Sequence, residues 1–274
     1  MSVASQIATQ IANQIATQGS ISASGGGGGG GGWTPAQLSA GTVTLWWDFS
    51  NQSNLTLSGD DITAVTDLSS YGNVSSISSD RRPDSLAVSD WNNLFGAVFR
   101  SSVGANNKIA TAGAAGSNLP WGFAGLWKTS SAISDLETEF GSGGTTQAAV
   151  AYSGVGNLPY TFSGTPATRW GAVLATNTNY IDITTYSSNN SQTRINGSST
   201  AALFSGLVGE AGQAIGIGQF NGSWAGSNLT YGEVFFFNRD LTTTEKEQIE
   251  GYFAHKFSQT ALLASSHPYK SSPP

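Results

Sequence analysis

The sequence contains no cysteine, and few of its side chains carry charge. Without cysteine there can be no disulfide bridge and no thiolate metal site. Charged residues make up 10% of the 274 residues, and the formal net charge is −6. No basic side chain precedes Arg81, and the later ones are scattered. Binding nucleic acid through its phosphates requires clustered Lys and Arg, so the composition argues against a nucleic-acid partner.

Long apolar runs are also missing. No uninterrupted apolar stretch approaches the length that spans a bilayer, and the N-terminus lacks the basic and apolar regions of a secretion signal. We therefore expect no membrane insertion. A chain of this length is long enough for one large all-β domain with an appendage. If the protein acts outside a cell, assembly into a particle that is released by lysis would carry it there.

The first 24 residues have a helical period. Val3, Ile7, Ile11 and Ile15 recur every four positions among alanine and uncharged polar residues, which gives one apolar stripe on a helix. A lone helix of this length is marginal in water, so the stripe predicts a docking or self-associating segment over residues 1–24. A low-complexity tail is the alternative.

Eight consecutive glycines follow at residues 25–32. Glycine has no side chain to bury and loses the most backbone entropy on ordering, so this run cannot form a core. It predicts a flexible linker that joins the N-terminal segment to a domain over residues 33–274. A poly-glycine sheet or a tightly packed three-chain bundle is the alternative.

From Trp33 onward, short runs rich in β-branched and aromatic residues alternate with Gly, Asn, Ser and Asp clusters, for example "TVTLWWDF", "YIDITTY" and "YGEVFFFNR". This pattern predicts an all-β sandwich or jelly roll. One late segment, "LTTTEKEQIEGYFAHKF", predicts a helix with Thr242 and Glu245 at capping-box spacing. His255 and Lys256 then lie in its last turn, where positive charge suits the helix dipole. Its apolar stripe contains Ile249, Tyr252, Phe253 and Phe257.

The C-terminal region resembles a known family. "GEVFFFNRDLTTTEKEQIEGYFAHKF", followed by "ALLASSHPYKSSPP", is similar to the end of the concanavalin A-like, laminin-G-type jelly-roll domains common in bacteriophage and marine bacterial proteins. "LWWDFSN", "VTDLSSYGN" and "NNLFGAVFR" resemble earlier parts of the same pattern, in the right order. Val65 stands where the family usually has Trp, and Ser70 where it usually has Gly. The resemblance implies a jelly-roll sandwich closed by a short helix and a terminal strap around His267.

The resemblance also implies a function. We expect a bacteriophage virion structural protein, either a capsid decoration (head fibre) or a tail-associated fibre, that displays a lectin-like domain at the virion surface and binds host-surface or environmental glycans. Other virion proteins would be partners of the N-terminal segment, and a trimer is favoured because virion fibres are commonly threefold. The stripe's spacing of four departs from the coiled-coil mean of 3.5, so dimers or docking on another protein stay open. A secreted or surface bacterial adhesin is the alternative, and a glycoside hydrolase is the least favoured.

Paired acids are required for glycoside hydrolysis. The densest candidates are Asp135, Glu137 and Glu139, which alternate and would share one face of a strand. Their order does not match the Glu-x-Asp-x-Glu signature of jelly-roll glucanases, and an acidic solvent face explains them equally well. We therefore expect no catalytic residues and no enzyme.

Calcium is the cofactor to consider, because related jelly rolls often bind it near their ligand face. Oxygen ligands could come from Asp60 and Asp61, or from Asp48 and Asp67. The alternative is that these aspartates form turns and cap loops. The two histidines are not flanked by other ligands at metal spacing.

Glycan binding would use exposed aromatic rings that stack on sugar faces. Trp224 lies between turn signals in "NGSWAGSN", and Trp121, Trp127 and Trp170 lie close to loop-like segments. These four tryptophans are the candidate glycan-binding residues. The alternative is that they fill the core of the sandwich.

Overall fold

The computed structural model describes residues 32–77, 82–100, 109–111, 121–130, 137–142, 148–153, 158–163, 168–169, 175–186, 191–204, 215–218 and 228–274. In chain order its strands are β1 (Val43–Asp48), β2 (Leu55–Ser58), β3 (Asp61–Val65), β4 (Ser75–Ile77), β5 (Asp84–Ala87), β6 (Phe95–Val98), β7 (Ile109–Thr111), β8 (Trp121–Thr129), β9 (Glu137–Ser142), β10 (Ala148–Ser153), β11 (Leu158–Ser163), β12 (Thr168–Arg169), β13 (Asn179–Tyr186), β14 (Ser191–Ile195), β15 (Ser198–Phe204), β16 (Ile215–Gly218) and β17 (Leu229–Phe237). The α-helix α1 is Thr243–Lys256.

The strands form two antiparallel sheets. Sheet A has the order β15-β14-β13-β8-β17-β6-β5-β3-β2, and sheet B has the order β12-β11-β10-β9-β16-β7-β4. On one side β17 pairs with β8, and on the other it pairs with β6 at its start and with β1 along the rest of its length. The all-β sandwich with a C-terminal helix that the sequence predicts is therefore confirmed.

The main core lies between the two sheets. Alternate side chains of sheet A, including Trp47, Phe123 and Phe236, pack with Ile109 and Ile217 of sheet B. Because successive side chains of a strand point to opposite faces, the residues between them lie on the other face of sheet A.

A second core covers that other face of sheet A. Ala124, Leu126, Phe235 and Phe237 pack there in one cluster with residues of α1 and of the segments around it. The buried residues of this cluster that come from α1 or directly follow it are Ile249, Phe253, Ala254 and Phe257. Sheet A therefore has both faces buried at its centre, which explains why "VFFF" is apolar at consecutive positions rather than alternating.

The ends of α1 match the sequence pattern. The Thr242 hydroxyl accepts a hydrogen bond from the Glu245 amide, and the Glu245 carboxylate accepts one from the Thr242 amide, which forms the predicted capping box. Arg239 also binds Glu245 through two nitrogens, at 2.6 and 3.0 Å. These hydrogen bonds lower the pKa of Glu245 to about 2, against the effect of burial, so the cap is charged at neutral pH.

The two ends of the described domain meet beside α1. The Trp33 amide donates a hydrogen bond to the Pro274 carbonyl at 3.1 Å. The Trp33 ring packs edge-to-face on Tyr252, with ring centres 5.9 Å apart. Residues 1–31 lie outside the described residues, so the predicted N-terminal segment (1–24) and its stripe Val3, Ile7, Ile11 and Ile15 stay predictions, as does the linker over residues 25–32.

Candidate functional site

Two acidic side chains lie opposite each other where β1 pairs with β17. Asp48 pairs with Glu233 in the register, and like charges at such positions repel. Lys256, from the last turn of α1, joins them: its Nζ lies 2.8 Å from Asp48 Oδ2 and 2.6 Å from Glu233 Oε2. Tyr252 Oη and Trp46 Nε1 both donate to Glu233 Oε1, at 3.0 and 2.6 Å. We call these five residues the Lys256 cluster.

Burial controls the protonation of the Lys256 cluster. Burial raises the pKa of Glu233 to about 7; the charge of Lys256 opposes this shift, and the charge of Asp48 adds to it. Burial by itself lowers the pKa of Lys256, but the charges of Glu233 and Asp48 hold it well above its usual range. One ammonium group thus faces two carboxyl groups, and Glu233 takes up a proton near neutral pH.

A carboxyl group with a pKa near 7 is suited to general acid–base catalysis. No part of Glu233 is exposed, however, so no substrate can reach it in this arrangement. The Lys256 cluster therefore attaches α1 to sheet A, and it forms a closed site.

A second network holds the chain that follows α1. Arg194 of β14 binds Glu250 through Nε and Nη2, at 2.7 and 2.9 Å, and His267 Nε2 lies 3.0 Å from the same carboxylate. His255 Nε2 donates to the Tyr269 carbonyl at 2.9 Å. Both histidines therefore fix the terminal strap that the family resemblance implies.

Sheet B differs from sheet A on its outer face. Ile109, Ile215 and Ile217 are buried against the core. Ala110, which follows Ile109 in β7, and Gly216, which lies between the two isoleucines of β16, are partly exposed. Among the described residues, α1 covers the outer face of sheet A. The outer face of sheet B is therefore the candidate ligand-binding face.

The register shows which positions share that face. Gly216 lies opposite both Ala110 and Gly141, Gly141 lies opposite Ala149, and Ala149 lies opposite Phe162. Because positions two apart in a strand share a face, residue 160 belongs to the same face as residue 162, and it pairs with Arg169.

The outer face of sheet B therefore has small residues at its centre and Tyr160 and Phe162 toward one edge. Positions occupied by small residues leave space beside the two aromatic positions, and a sugar ring stacks on an aromatic face. Sequence reasoning missed Tyr160 and Phe162. The alternation in "LPYTFS" was visible, but only the pairing with Gly216 shows which of its two faces is the outer one.

The four predicted tryptophans have different outcomes. Trp127 is completely buried and stacks on Tyr180, with ring centres 4.7 Å apart. A ring with no exposed surface cannot stack on a sugar in solution, so this candidate is corrected to a core residue. Trp121 opens β8, opposite Tyr186, but its side chain lies outside the described residues. Trp170 and Trp224 also lie outside them, and all three stay predictions.

The geometry argues against calcium at two of the predicted aspartates. Asp48 is paired with Lys256 and also accepts hydrogen bonds from Ser50. The carboxylate of Asp67 accepts hydrogen bonds from five donors. These donors occupy the lone pairs that a cation would need.

Asp60 and Asp61 lie next to Asp84 at the edge of sheet A. Asp61 pairs with Asp84 in the register, and Arg100 forms an ion pair with Asp84. Burial raises the pKa of Asp84; Arg100 opposes this shift, and the charges of Asp61 and Asp60 add to it. Within the described residues, no group of three or more Asp, Glu or His side chains is arranged to hold a metal ion.

The acidic run is interrupted by a bulge. The pairing of β9 with β10 passes from Phe140 to Thr138 and skips Glu139, so Glu137 and Glu139 do not follow simple strand alternation. Strand alternation alone therefore does not place these two residues on one face, and their side chains lie outside the described part of the structure. Asp135 lies outside the described residues.

No helix in the described parts of the chain is long and apolar enough to cross a membrane.

Comparison with known proteins gives structural likeness only. No protein-family model and no curated protein matches the chain. A sialidase from Trypanosoma rangeli is similar with a TM-score of 0.52 and 10% identity, over 82% of this chain and 34% of the sialidase. Domain 4 of AbnA, a GH43 extracellular arabinanase from Geobacillus stearothermophilus, in complex with arabinotriose, is similar with a TM-score of 0.57 and 12% identity, over 76% of this chain and 98% of that domain.

The binding domain of Paraclostridial Mosquitocidal Protein 1 is also similar, with a TM-score of 0.54 and 11% identity, over 77% of this chain and 52% of that one. The chain spans about a third of the sialidase that it matches. At these identities the likeness shows the fold alone, a jelly-roll-like β-sandwich.

The prediction that the chain is not an enzyme requires correction. It was wrong to exclude enzymes, because the similar structures include a sialidase and a domain of an arabinanase. The poor match of Asp135, Glu137 and Glu139 to one glucanase signature was too narrow a ground for that exclusion.

Proposed function

We propose that this chain is a bacteriophage virion protein whose β-sandwich binds carbohydrate through the outer face of sheet B. The observation that carries the binding role is the register across that face, which places Gly216, Gly141 and Ala149 in one row with Phe162 and puts Tyr160 on the same face. The row gives a sugar ring space to approach, and the two aromatic positions offer surfaces on which it can stack.

The virion role is supported by the sequence. The closing motif from Gly232 to Phe257 resembles that of jelly-roll domains common in bacteriophage proteins, and the run of eight glycines suits a head that samples a surface from a fixed base. In this proposal residues 1–24 dock on other virion proteins or form a trimer, and the head projects from the capsid or the tail at the virion surface. A secreted or surface bacterial adhesin is the alternative.

Binding is tested with an array of neutral and acidic oligosaccharides that includes arabinotriose and sialic acid. We expect the wild-type chain to bind at least one glycan, Tyr160→Ala to weaken that binding about tenfold, and Tyr160→Phe to retain most of it because the ring is kept. Absence of binding to every glycan would contradict the proposal. Assaying release of shorter products from the bound glycan under the same conditions shows whether the chain also cleaves it.

The assembly role is tested by native mass. We expect the full chain to be a trimer and a version starting at Trp33 to be a monomer. Detection of the chain in purified phage particles, by mass spectrometry of the particle, would separate a virion protein from a bacterial adhesin. If both versions are monomers and no particle contains the chain, the virion proposal fails.

A further inference from the structure

The connection between β3 and β4, residues 66–74, is organised around one carboxylate. Asp67 Oδ1 accepts hydrogen bonds from the amides of Trp46 and Ser69, both at 2.9 Å. Asp67 Oδ2 accepts from Ser69 Oγ at 2.8 Å and from the amide and Nδ2 of Asn73 at 2.8 and 2.7 Å. Asn73 Nδ2 also donates to the Thr44 carbonyl at 2.7 Å. We call residues 66–74 the Asp67 loop; its backbone is held in one conformation.

This fixed loop exposes apolar side chains. Among the residues whose side-chain burial the structure describes, which do not include those of β9 to β12, the exposed large apolar side chains are Tyr71, which is 54% exposed, and Val74, which is 70% exposed. Both belong to the Asp67 loop and lie three residues apart in the chain. Large apolar side chains that are exposed together, rather than scattered singly, mark interaction sites.

The Tyr71 ring is held at its far end. Its hydroxyl donates a hydrogen bond to the Gly41 carbonyl at 3.3 Å, which fixes the ring against the turn before β1 while its face stays exposed. Next to it, Gly72 has φ +61°, and no atom lies within 4 Å of the position where a Cβ would be. The backbone beside the ring is therefore open to a ligand.

We infer that the Asp67 loop is a carbohydrate-contacting site, in which the Tyr71 ring stacks on the face of one sugar unit and Val74 extends the apolar contact. This inference rests on the proposed glycan-binding function and adds a contact outside the outer face of sheet B. The loop sequence, Ser69-Ser70-Tyr71-Gly72-Asn73, combines a rigid amphipathic ring with small polar residues that adapt their hydrogen bonds to a ligand.

The size of the exposed area favours a sugar over a protein. A stable protein interface buries roughly 800 Å² on each partner, and two side chains supply only a small part of that area. One aromatic ring, in contrast, matches one sugar ring. Because the Asp67 hydrogen bonds already order the loop, a ligand would lose little affinity to ordering it.

The turn beside the ring supplies polar neighbours. Asn238 Nδ2 donates to the same Gly41 carbonyl at 3.0 Å, and Arg239 Nη2 donates to the hydroxyl of exposed Ser39 at 3.0 Å. Because the Tyr71 hydroxyl shares that carbonyl, Asn238 borders the hydroxyl end of the ring, where the hydroxyl groups of a stacked sugar would need hydrogen-bond partners.

The test uses the full-length chain and the same oligosaccharide array, including arabinotriose and sialic acid. The dissociation constant of each bound glycan is measured for the wild type, Tyr71→Ala, Tyr71→Phe and Val74→Ala, with Thr66→Ala as a control at an exposed position of the same loop. We expect Tyr71→Ala to weaken binding about tenfold, Val74→Ala about twofold, and Tyr71→Phe and Thr66→Ala less than twofold. The exposed positions leave the thermal midpoint nearly unchanged, and Val74→Ala tests the site if Tyr71→Ala disturbs the fold.

The outcomes separate the two proposals. If the wild type binds a glycan and neither Tyr71→Ala nor Val74→Ala changes the dissociation constant, this inference is wrong while the proposed function stands. If the wild type binds no glycan, the proposed function fails and this inference fails with it. A second assay measures binding of the wild type and Tyr71→Ala to cells whose surface glycans have been removed enzymatically. If the wild type binds these cells and Tyr71→Ala does not, the loop binds a protein, and the carbohydrate assignment is overturned.

Discussion

Glu233→Gln would remove the carboxyl group that burial holds partly protonated in the Lys256 cluster. The glutamine amide has nearly the same shape, and its oxygen can still accept the hydrogen bonds from Trp46 Nε1 and Tyr252 Oη. The substitution removes the ability to gain and lose a proton, and it also removes the acceptor of the Lys256 ammonium at Oε2, which lowers stability at every pH in this range. The pH dependence of stability therefore isolates the contribution of this one group.

The direction follows from the two pKa values of Glu233. Its pKa rises from 4.5, the ordinary value of a glutamate in the unfolded chain, to about 7 in the fold. The folded state therefore binds more protons between these values, and the associated stability is fully present below pH 4.5 and is lost as the pH rises through 7. At about 1.4 kcal/mol per pKa unit, the free energy of unfolding of the wild type should fall by about 3 kcal/mol relative to Glu233→Gln across this range.

Urea unfolding of both proteins from pH 4.5 to 8.5 measures this difference, because the contributions of the other titrating groups largely cancel. Glu247→Gln, the same chemical change elsewhere on α1, is the matched control for the loss of one carboxyl group from this helix. Parallel curves for the wild type and Glu233→Gln, within about 0.5 kcal/mol, would refute the protonation assigned to Glu233.

Three further predictions concern stability and loop structure. Lys256→Met leaves two carboxyl groups facing each other without their cation and should lower the free energy of unfolding by about 3 kcal/mol at pH 8, measured in urea; an unchanged value would mean that the ion pairs contribute nothing. Gly122→Ala would place a Cβ 2.1 Å from the Phe237 ring and 2.6 Å from the Thr184 carbonyl oxygen, and it should destabilise the fold by about 1–3 kcal/mol in the same assay. A neutral result would show that the Phe237 ring and β13 give way easily. Asp67→Ala leaves five donors without their acceptor and should speed amide hydrogen exchange at residues 69 and 73, while added calcium should leave the wild-type thermal midpoint unchanged; a calcium-dependent rise would instead restore a metal role for this carboxylate.

The sequence predicts best those features that are encoded locally. The capping box at Thr242 and Glu245, and the apolar stripe that follows it, lie within one helix, so their spacing is enough to place α1. The alternating runs likewise predict the strands. Burial on both faces of sheet A could not be predicted in this way, because it depends on where α1 packs.

Trp127 shows the same limitation for the candidate sites. Its neighbours in "WGFAGLWKT" do not reveal that both faces of β8 are covered, so the sequence could not separate a core ring from a binding ring. The sequence also could not predict the role of Glu233. Its buried carboxyl group is explained only by its contact with Lys256 and its pairing with Asp48, both of which are distant in sequence. The positions of Tyr160 and Phe162 required a register across four strands.

The hydrogen bond between the Trp33 amide and the Pro274 carbonyl has a practical consequence for presenting this domain. Trp33 belongs to the cluster that covers the α1 side of sheet A, across the sandwich from the outer face of sheet B. A fluorescent protein or a surface anchor fused to either end would therefore leave from the same side. When the domain is attached to a support through either end, the outer face of sheet B points away from that support. The same binding assay can therefore be run with the domain attached at Trp33 or at Pro274.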